Sequence, residues 1–168
     1  GDRKDRGLYS FQYSEQYGRE HKIFKAVANT GDCNRLIAYL IHVNSFNTSC
    51  LLELAAVFSK LSGGNQRALD LVRRSLHVYE GCSMEGFLTS LKNGAASIPL
   101  QVPLPLPAPH NSENKNKNNY NTCLLDWRIS TNTPFYVSLY RLMQISGMMG
   151  YNALASDIGR MLLALHPT

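Results

Sequence analysis

The chain has 168 residues, of which 44% are hydrophobic and 17% are charged. These values suit one folded domain with a buried core and exclude a wholly disordered chain. The longest apolar run, residues 36–41, is too short to cross a bilayer, and no charged-then-apolar signal segment opens the chain, so we expect a soluble, non-secreted protein. The net charge of +5 is spread along the chain without a basic arm, and we therefore expect no direct DNA binding.

Residues 1–13 are predicted to be extended, and a first helical part is predicted over residues 14–97. Its first helix covers residues 14–28, because apolar side chains recur there at helical spacing. These side chains are Tyr17, Phe24 and Val27. Asp32 is suited to cap a second helix that ends at His42, since a carboxylate accepts hydrogen bonds from free backbone N–H groups. The residues predicted to lie on or near the buried face of that helix are Leu36, Ile37, Leu40 and Ile41.

Two further helices are predicted on either side of a glycine pair, Gly63 and Gly64. From Cys50 to Leu61 apolar residues follow the helical repeat, and glycine ends the helix because it adopts the left-handed conformation at little cost. The predicted stripe of this helix is Leu51, Leu54, Ala55, Phe58 and Leu61. The stripe of the next helix is Ala68, Val72, Ser75, Leu76 and Tyr79. The short turn predicts an antiparallel pair.

Residues 98–122 interrupt the helical pattern as an irregular insert. Five of the seven prolines lie in residues 98–109, and residues 110–122 are rich in Asn and Lys. Because proline lacks the backbone N–H and the Asn/Lys stretch has little apolar surface to bury, neither half is expected to form a helix or an inner strand. A spacer is the favoured interpretation, since no Arg or Lys flanks the prolines closely, and a polyproline II ligand for a groove is the alternative.

A second helical part is predicted over residues 123–168. Thr133-Pro134 is a start signal, because proline suits the first helical position. One face of this helix is predicted to carry Phe135, Leu139, Leu142 and Met143. Gly147 and Gly150 bracket the turn to a partner helix over residues 151–165. The inward residues of the partner helix are predicted to be Leu154, Ile158, Met161, Leu162 and Leu165.

The predicted fold class is all-α, with paired antiparallel helices stacked as a tetratricopeptide-like α-solenoid segment and a Pro/Asn-rich irregular insert. Each helix pair has about the length of a tetratricopeptide unit. Small residues such as Ala55 and Ala68 allow two helices to approach closely. A single pair leaves its outer face unburied, which favours the stacking of several pairs.

No arrangement of residues in the sequence is typical of catalysis or metal binding. The five histidines are scattered, and the sequence lacks a zinc-binding helix, a nucleophile elbow and a phosphate-binding loop. The four cysteines lie far apart without a Cys-x-x-Cys pair, so we expect buried thiols in a reducing compartment. We therefore predict a protein that is not an enzyme and that binds neither a metal ion nor a cofactor.

Several segments, taken in order, resemble a known family. They are YSFQYSE at residues 9–15, AYLIHVNSFNTSCLLELAAVF at 38–58, ALDLVRRSL at 68–76, CLLDW at 123–127, NTPFYVSL at 132–139 and RMLLALHP at 160–167. Their order and spacing resemble the conserved helical domain of the transcription factor 25 family, whose fungal members are subunit one of the ribosome quality control complex. The chain departs from this family at residues 44–47, where Asn-Ser-Phe-Asn replaces the usual Asn-Pro-Tyr-His, and in the length of its insert.

The resemblance implies a non-catalytic scaffold that acts on stalled nascent chains on the large ribosomal subunit and promotes their ubiquitination and proteasomal degradation. The implied partners are the listerin-type ubiquitin ligase, ubiquitin, the large ribosomal subunit, the nascent-chain tailing factor and an AAA segregase. It further implies a cytoplasmic, ribosome-associated location with a nuclear pool, and a chain that is a piece of a longer protein. Two alternatives stay open: a transcriptional repressor, and a peptide-binding helical repeat module.

Three residues are predicted to contact partners. Arg73 and Arg74 follow each other on a helix whose other face is apolar, so we expect them to face solvent, where they can meet acidic protein or ribosomal RNA phosphates. A solvated surface without a partner is the alternative for both. Trp127, the single tryptophan, is predicted either to anchor an interface or to be buried against the last helix pair.

Overall fold

The computed structural model describes residues 8–82 and 124–165, and the predicted insert of residues 98–122 lies outside these ranges. The described residues form six helices and one pair of two-residue strands. The elements are β1 (Leu8–Tyr9), α1 (Glu15–Ala28), α2 (Cys33–His42), α3 (Thr48–Phe58), α4 (Asn65–Cys82), β2 (Leu124–Leu125), α5 (Thr133–Met148) and α6 (Asn152–Leu165). The prediction of a helical fold is confirmed. None of these helices combines the length and the apolar character that crossing a membrane requires.

Each helix packs on the helix that follows it among the described elements. Contacts join α1 to α2, α2 to α3, α3 to α4, α4 to α5 and α5 to α6, and α3 also touches α5. Short connections explain this packing for every neighbouring pair except α4 and α5, which pack together although residues 83–132 separate them in sequence. The packing arranges the buried side chains in three neighbouring clusters rather than in one central core.

Side-chain caps fix the starts of the first three helices. The Ser14 hydroxyl accepts a hydrogen bond from the backbone N–H of Tyr17 at 3.1 Å. The Asp32 carboxylate accepts one from Asn34 at 2.9 Å, which confirms the predicted cap of α2. The Asn47 side chain caps α3 in the same way. Each cap stabilises its helix, because it provides an acceptor for one of the N–H groups that lack a partner in the first turn.

The first cluster joins α1, α2 and the start of α3. Its buried members are Phe24, Leu36, Tyr39, Leu40, Cys50, Leu51 and Leu54. The prediction that Ile37 and Ile41 lie on or near the buried face of α2 is wrong, since these residues are 37% and 66% exposed. Tyr39 occupies the buried position instead. Successive residues of a helix lie about 100° apart around its axis, so Ile37 does not share the face of Leu36. Tyr39 is tolerated there because its hydroxyl donates a hydrogen bond to the carbonyl oxygen of Glu20 at 2.9 Å.

The second cluster holds α3 against α4 and reaches α5. Its buried members are Leu52, Ala55, Ala68, Leu69, Val72 and Ile145. Gly63 has a φ of +73°, as the predicted glycine stop requires, and a Cβ on Gly64 would lie 2.0 Å from the carbonyl oxygen of Phe58. Leu61 was predicted to be in the α3 stripe, but it is 54% exposed because α3 ends at Phe58.

The third cluster joins α4, α5 and α6. Its buried members are Tyr79, Leu125, Phe135, Leu139, Ile158 and Leu165. Thr133 and Pro134 begin α5 as predicted, and Gly150, with a φ of +83°, separates α5 from α6. Leu154 was predicted to point inward, but it is 38% exposed because it lies in the first turn of α6.

A short parallel strand pair connects the beginning of the described chain with its second helical part. Leu8 pairs with Leu124, and Tyr9 pairs with Leu125. Asn132, which is fully buried, reinforces this connection: its side-chain oxygen accepts a hydrogen bond from the backbone N–H of Phe11 at 2.8 Å. The sequence predicted an extended segment over residues 1–13 but no strand, since two residues carry too little pattern to identify one.

The thiols differ in their exposure. Cys50 is fully buried, Cys33 is half-buried and Cys82 is exposed, so the expectation of buried thiols is wrong for Cys82. Cys123 lies outside the described residues. Burial raises the pKa of the Cys50 thiol to about 12, which keeps it protonated and unreactive in neutral solution.

Candidate partner-binding surface

The two predicted arginines lie on the solvent side of α4. Arg73 and Arg74 are exposed, while Val72 and Ser75 on either side of them are fully buried. Helical geometry explains this alternation, because α4 buries one face against α3 and α5 and leaves the other face to solvent. Within residues 8–82 and 124–165, no ion pair fixes either guanidinium. The two cations are therefore available to a negatively charged partner.

Trp127 lies in the tight turn between β2 and α5. The Asp126 carboxylate accepts a hydrogen bond from the backbone N–H of Arg128 at 2.9 Å, which shapes this turn. The backbone carbonyl oxygen of Trp127 accepts one from the Thr133 hydroxyl at 3.2 Å. The Trp127 side chain is 51% exposed. It thus leans on the last helix pair and also presents part of the indole to solvent.

Around Trp127 lies an open groove, which we call the Trp127 groove. It has a volume of about 410 Å³ and is lined by Trp127, Tyr136, Val137, Tyr140 and Leu162. Among the described residues that line it, none has a charged side chain, and Arg73 and Arg74 do not belong to this lining. The structure therefore places the predicted contact residues on two separate surfaces: a basic one on α4 and an aromatic one on α5 and α6.

A second cavity, the tyrosine pocket, lies where α1, α3 and α4 meet. It has a volume of about 200 Å³ and is lined by Phe11, Gln12, Tyr13, Ser14, Tyr17, Thr48, Val78, Tyr79 and Cys82. The hydroxyl of Thr48 is at its centre, with the phenol oxygens of Tyr17 and Tyr79 each 3.1 Å away. Burial raises the pKa of both tyrosines, so their hydroxyls stay neutral in physiological conditions.

Sequence reasoning did not find the tyrosine pocket. Its residues come from three separate stretches of the chain, residues 11–17, 48 and 78–82, and no spacing rule connects Phe11 with Thr48 or Tyr79. The feature of the sequence that points to it is the high density of tyrosines in residues 9–17, from which we predicted only a helix and a family motif.

The described residues show no site for metal-assisted chemistry. Within residues 8–82 and 124–165, no group of three or more His, Cys, Asp or Glu side chains is placed to hold a metal ion. What these residues offer are surfaces: an exposed arginine pair, an aromatic groove and a neutral pocket.

Comparison with known proteins gives the family. A family model described as Transcriptional repressor TCF25 matches residues 9–103. The chain is also similar to two curated proteins named Ribosome quality control complex subunit TCF25, with 26% identity to that of Homo sapiens and 25% to that of Mus musculus. Each alignment covers 98% of this chain and 20% of the relative, so the chain spans about a fifth of the relatives' length. No solved structure matches the chain. Because the family model covers more than half of the chain, the chain belongs to the TCF25 family.

Proposed function

We propose that this chain is part of a non-catalytic scaffold subunit of the ribosome quality control complex. The observation that carries the proposal is the similarity to two proteins named as subunits of that complex, which extends over 98% of the chain. In this role the protein acts in the cytoplasm, on large ribosomal subunits that carry stalled nascent chains. It works with the listerin-type ubiquitin ligase, ubiquitin, the nascent-chain tailing factor and the AAA segregase to promote ubiquitination and proteasomal degradation.

The architecture supports a scaffold. We read the consecutive packing of α1 to α6 as a tetratricopeptide-like solenoid segment, in which each helix contacts its neighbours and long surfaces stay open. The Trp127 groove and the exposed face of α4 are two such surfaces. Two chemically different surfaces on one rigid body suit a protein that binds several partners at once.

We assign Arg73 and Arg74 to the contact with a negatively charged partner, either an acidic protein surface or ribosomal RNA. Both side chains are exposed and next to each other on a helix that is anchored by buried Val72 and Ser75. Because the helix backbone is held in place, binding of phosphates or carboxylates requires no ordering of the backbone, and the planar guanidinium loses less side-chain freedom per hydrogen bond than an ammonium group does.

A transcriptional repressor is the second candidate, because the matching family model is described with that name. The dispersed net charge of +5 gives no strong basic surface for DNA, so this role would depend on protein partners.

The test is affinity purification of the full-length parent protein from cells with stalled translation, followed by mass spectrometry. We expect large-subunit proteins and the listerin-type ligase to co-purify. Chromatin proteins in place of ribosomes would overturn the scaffold role in favour of the repressor.

The same purification tests the arginine pair. Replacing both arginines, Arg73→Glu with Arg74→Glu, is expected to reduce the recovery of ribosomal proteins by roughly tenfold, because charge reversal replaces attraction by repulsion. The control is Lys22→Glu with Lys25→Glu, which makes the same change of charge at two exposed positions of α1. Equal recovery with the two double variants would overturn the role of the arginines while leaving the scaffold role intact.

A further inference from the structure

The Trp127 groove has the lining of a surface that binds an extended apolar peptide. Of the five described residues that line it, three are aromatic, namely Trp127, Tyr136 and Tyr140, and none is charged. Trp127 and Tyr140 are 51% and 50% exposed, so about half of each side chain's surface is accessible from outside. An uncharged aromatic groove disfavours an anionic ligand, which would lose its hydration without gaining a partner.

The aromatic residues of the groove are held in position before any ligand binds. Tyr136 and Tyr140 are one helical turn apart on α5, so their side chains lie along the same face. The Tyr136 hydroxyl donates a hydrogen bond to the backbone carbonyl oxygen of Leu125, which fixes that ring against β2. The turn around Asp126 and the hydrogen bond from Thr133 hold the backbone of Trp127. A preformed surface of this kind costs little entropy to occupy.

Proline-rich segments are the ligands that match such a groove. A polyproline II helix is already extended in solution and presents flat pyrrolidine rings, which pack on the faces of tryptophan and tyrosine. It has three residues per turn and a rise of about 3.1 Å per residue, so a short stretch covers a groove between two helices.

We propose that the Trp127 groove is the docking site of this chain's own proline-rich segment, residues 98–109. The sequence of this segment, IPLQVPLPLPAP, is entirely uncharged and mostly apolar, which matches the lining of the groove. Only residues 110–123 separate it from β2, which leads directly to Trp127, and a chain of that length reaches at most about 50 Å. The segment is therefore held near the groove at an effective concentration of about 1 mM. The inference does not depend on the proposed scaffold role.

The decisive experiment is a binding titration with a fluorescein-labelled peptide of residues 98–109, followed by anisotropy. The peptide is titrated with two proteins, the unaltered chain and a variant with Pro103→Ser, Pro105→Ser and Pro107→Ser, whose own segment should no longer bind the groove. We expect the peptide to bind the variant with a Kd of about 0.1 mM. It should bind the unaltered chain about tenfold more weakly, because the tethered segment competes for the groove.

Tyr140→Ala, added to the proline variant, provides the groove control and is expected to abolish binding of the peptide. Tyr151→Ala is its matched control, because Tyr151 is equally exposed, at 48%, but does not line the groove. The fluorescence of Trp127, the single tryptophan, gives a second readout: emission should shift to the red when the three prolines are replaced and return when the peptide is added.

Three results would overturn the proposal. The peptide fails to bind either protein. The peptide binds both proteins equally, which would make the groove a site for a proline-rich segment of a partner. The unaltered chain forms a dimer that Tyr140→Ala dissolves, which would make the occupant a second copy of the chain.

Discussion

At the scale of single residues, buried polar side chains determine how neighbouring helices are connected, which apolar packing alone does not specify. Asn47 is the clearest case, because it is fully buried and bonded on both sides. Its side-chain oxygen accepts a hydrogen bond from Cys50 N–H at 3.0 Å, and its amide donates one to the Tyr39 hydroxyl at 3.0 Å. Since Tyr39 in turn donates to the carbonyl oxygen of Glu20, one side chain connects three helices.

Asn47→Ala is expected to lower the free energy of unfolding by about 2 kcal/mol, because it removes both the cap of α3 and the donor to Tyr39. Asn47→Ser should cost about half as much, since serine still caps the helix. Urea unfolding followed by circular dichroism measures both values. Equal losses for the two variants would show that the cap of α3 contributes nothing, and a parent-like stability of Asn47→Ser would show the same of the bond to Tyr39.

The buried tyrosines predict a loss of stability in alkaline solution. Burial raises the pKa of Tyr39 and Tyr136 to about 12, whereas tyrosine in the unfolded chain titrates near 10. The folded protein therefore binds more protons than the unfolded chain between these values, and stability is full below about pH 10 and falls as the pH rises above it.

We expect each such tyrosine to contribute a slope of at most about 1.4 kcal/mol per pH unit above pH 10. Tyr39→Phe should be less stable than the parent at neutral pH but should lose less stability between about pH 10 and pH 11. Urea titrations at a series of pH values compare the two slopes. If the stability of the parent and of Tyr39→Phe fell equally with rising pH, the raised pKa of Tyr39 would be contradicted.

At the scale of elements, the sequence predicted each helix and most of the buried faces, and it failed where polar atoms or turns decide the orientation. The pair α3 and α4 was predicted well because its apolar residues follow one helical stripe and a glycine pair ends it. The face of α2 was misjudged because an apolar score places Ile37 and Ile41 above Tyr39, whereas the hydrogen bond to Glu20 puts the tyrosine inside. The helical repeat of 3.6 residues does not reveal this orientation of Tyr39, because the oxygen that accepts its hydrogen bond lies on another helix.

Alanine substitutions at Gly64 and at Gly18 are expected to change the stability of the protein in opposite directions. Gly64→Ala is expected to destabilise the protein by more than about 2 kcal/mol, because the added Cβ would lie 2.0 Å from the Phe58 carbonyl oxygen. Gly18→Ala, within α1 and with no heavy atom within 4 Å of the new Cβ, is expected to stabilise it by about 0.5–1 kcal/mol. Thermal unfolding of the two variants beside the parent tests both signs at once. A similar change in both would mean that the turn between α3 and α4 adapts freely.

At the scale of the whole molecule, the packing of α4 against α5 holds together the two helical parts that the insert separates in sequence. Tyr79 stacks edge-on against Phe135 with ring centroids 5.2 Å apart, and the hydroxyls of Ser75 and Ser138 lie 2.8 Å apart in a fully buried contact. The sequence predicted Ser75 on the inner stripe of α4 but gave no partner for it. Its partner is 63 residues away, beyond the insert, where no local pattern reaches.

This interface predicts that the chain unfolds as one unit. Because α4 and α5 share buried side chains, the fluorescence of Trp127 in the second part and the overall helical circular dichroism should report the same urea midpoint. Ser138→Leu forces a larger side chain into the contact with Ser75 and should separate the two transitions, since it pushes α5 away from α4 while each part keeps its own cluster. Gln144→Leu is the matched control, because it adds a leucine at an exposed position of the same helix and should leave the transitions coincident. If the transitions were already separate in the unaltered chain, the two parts would be independent units, and the α4–α5 contact would be too weak to form one continuous binding body.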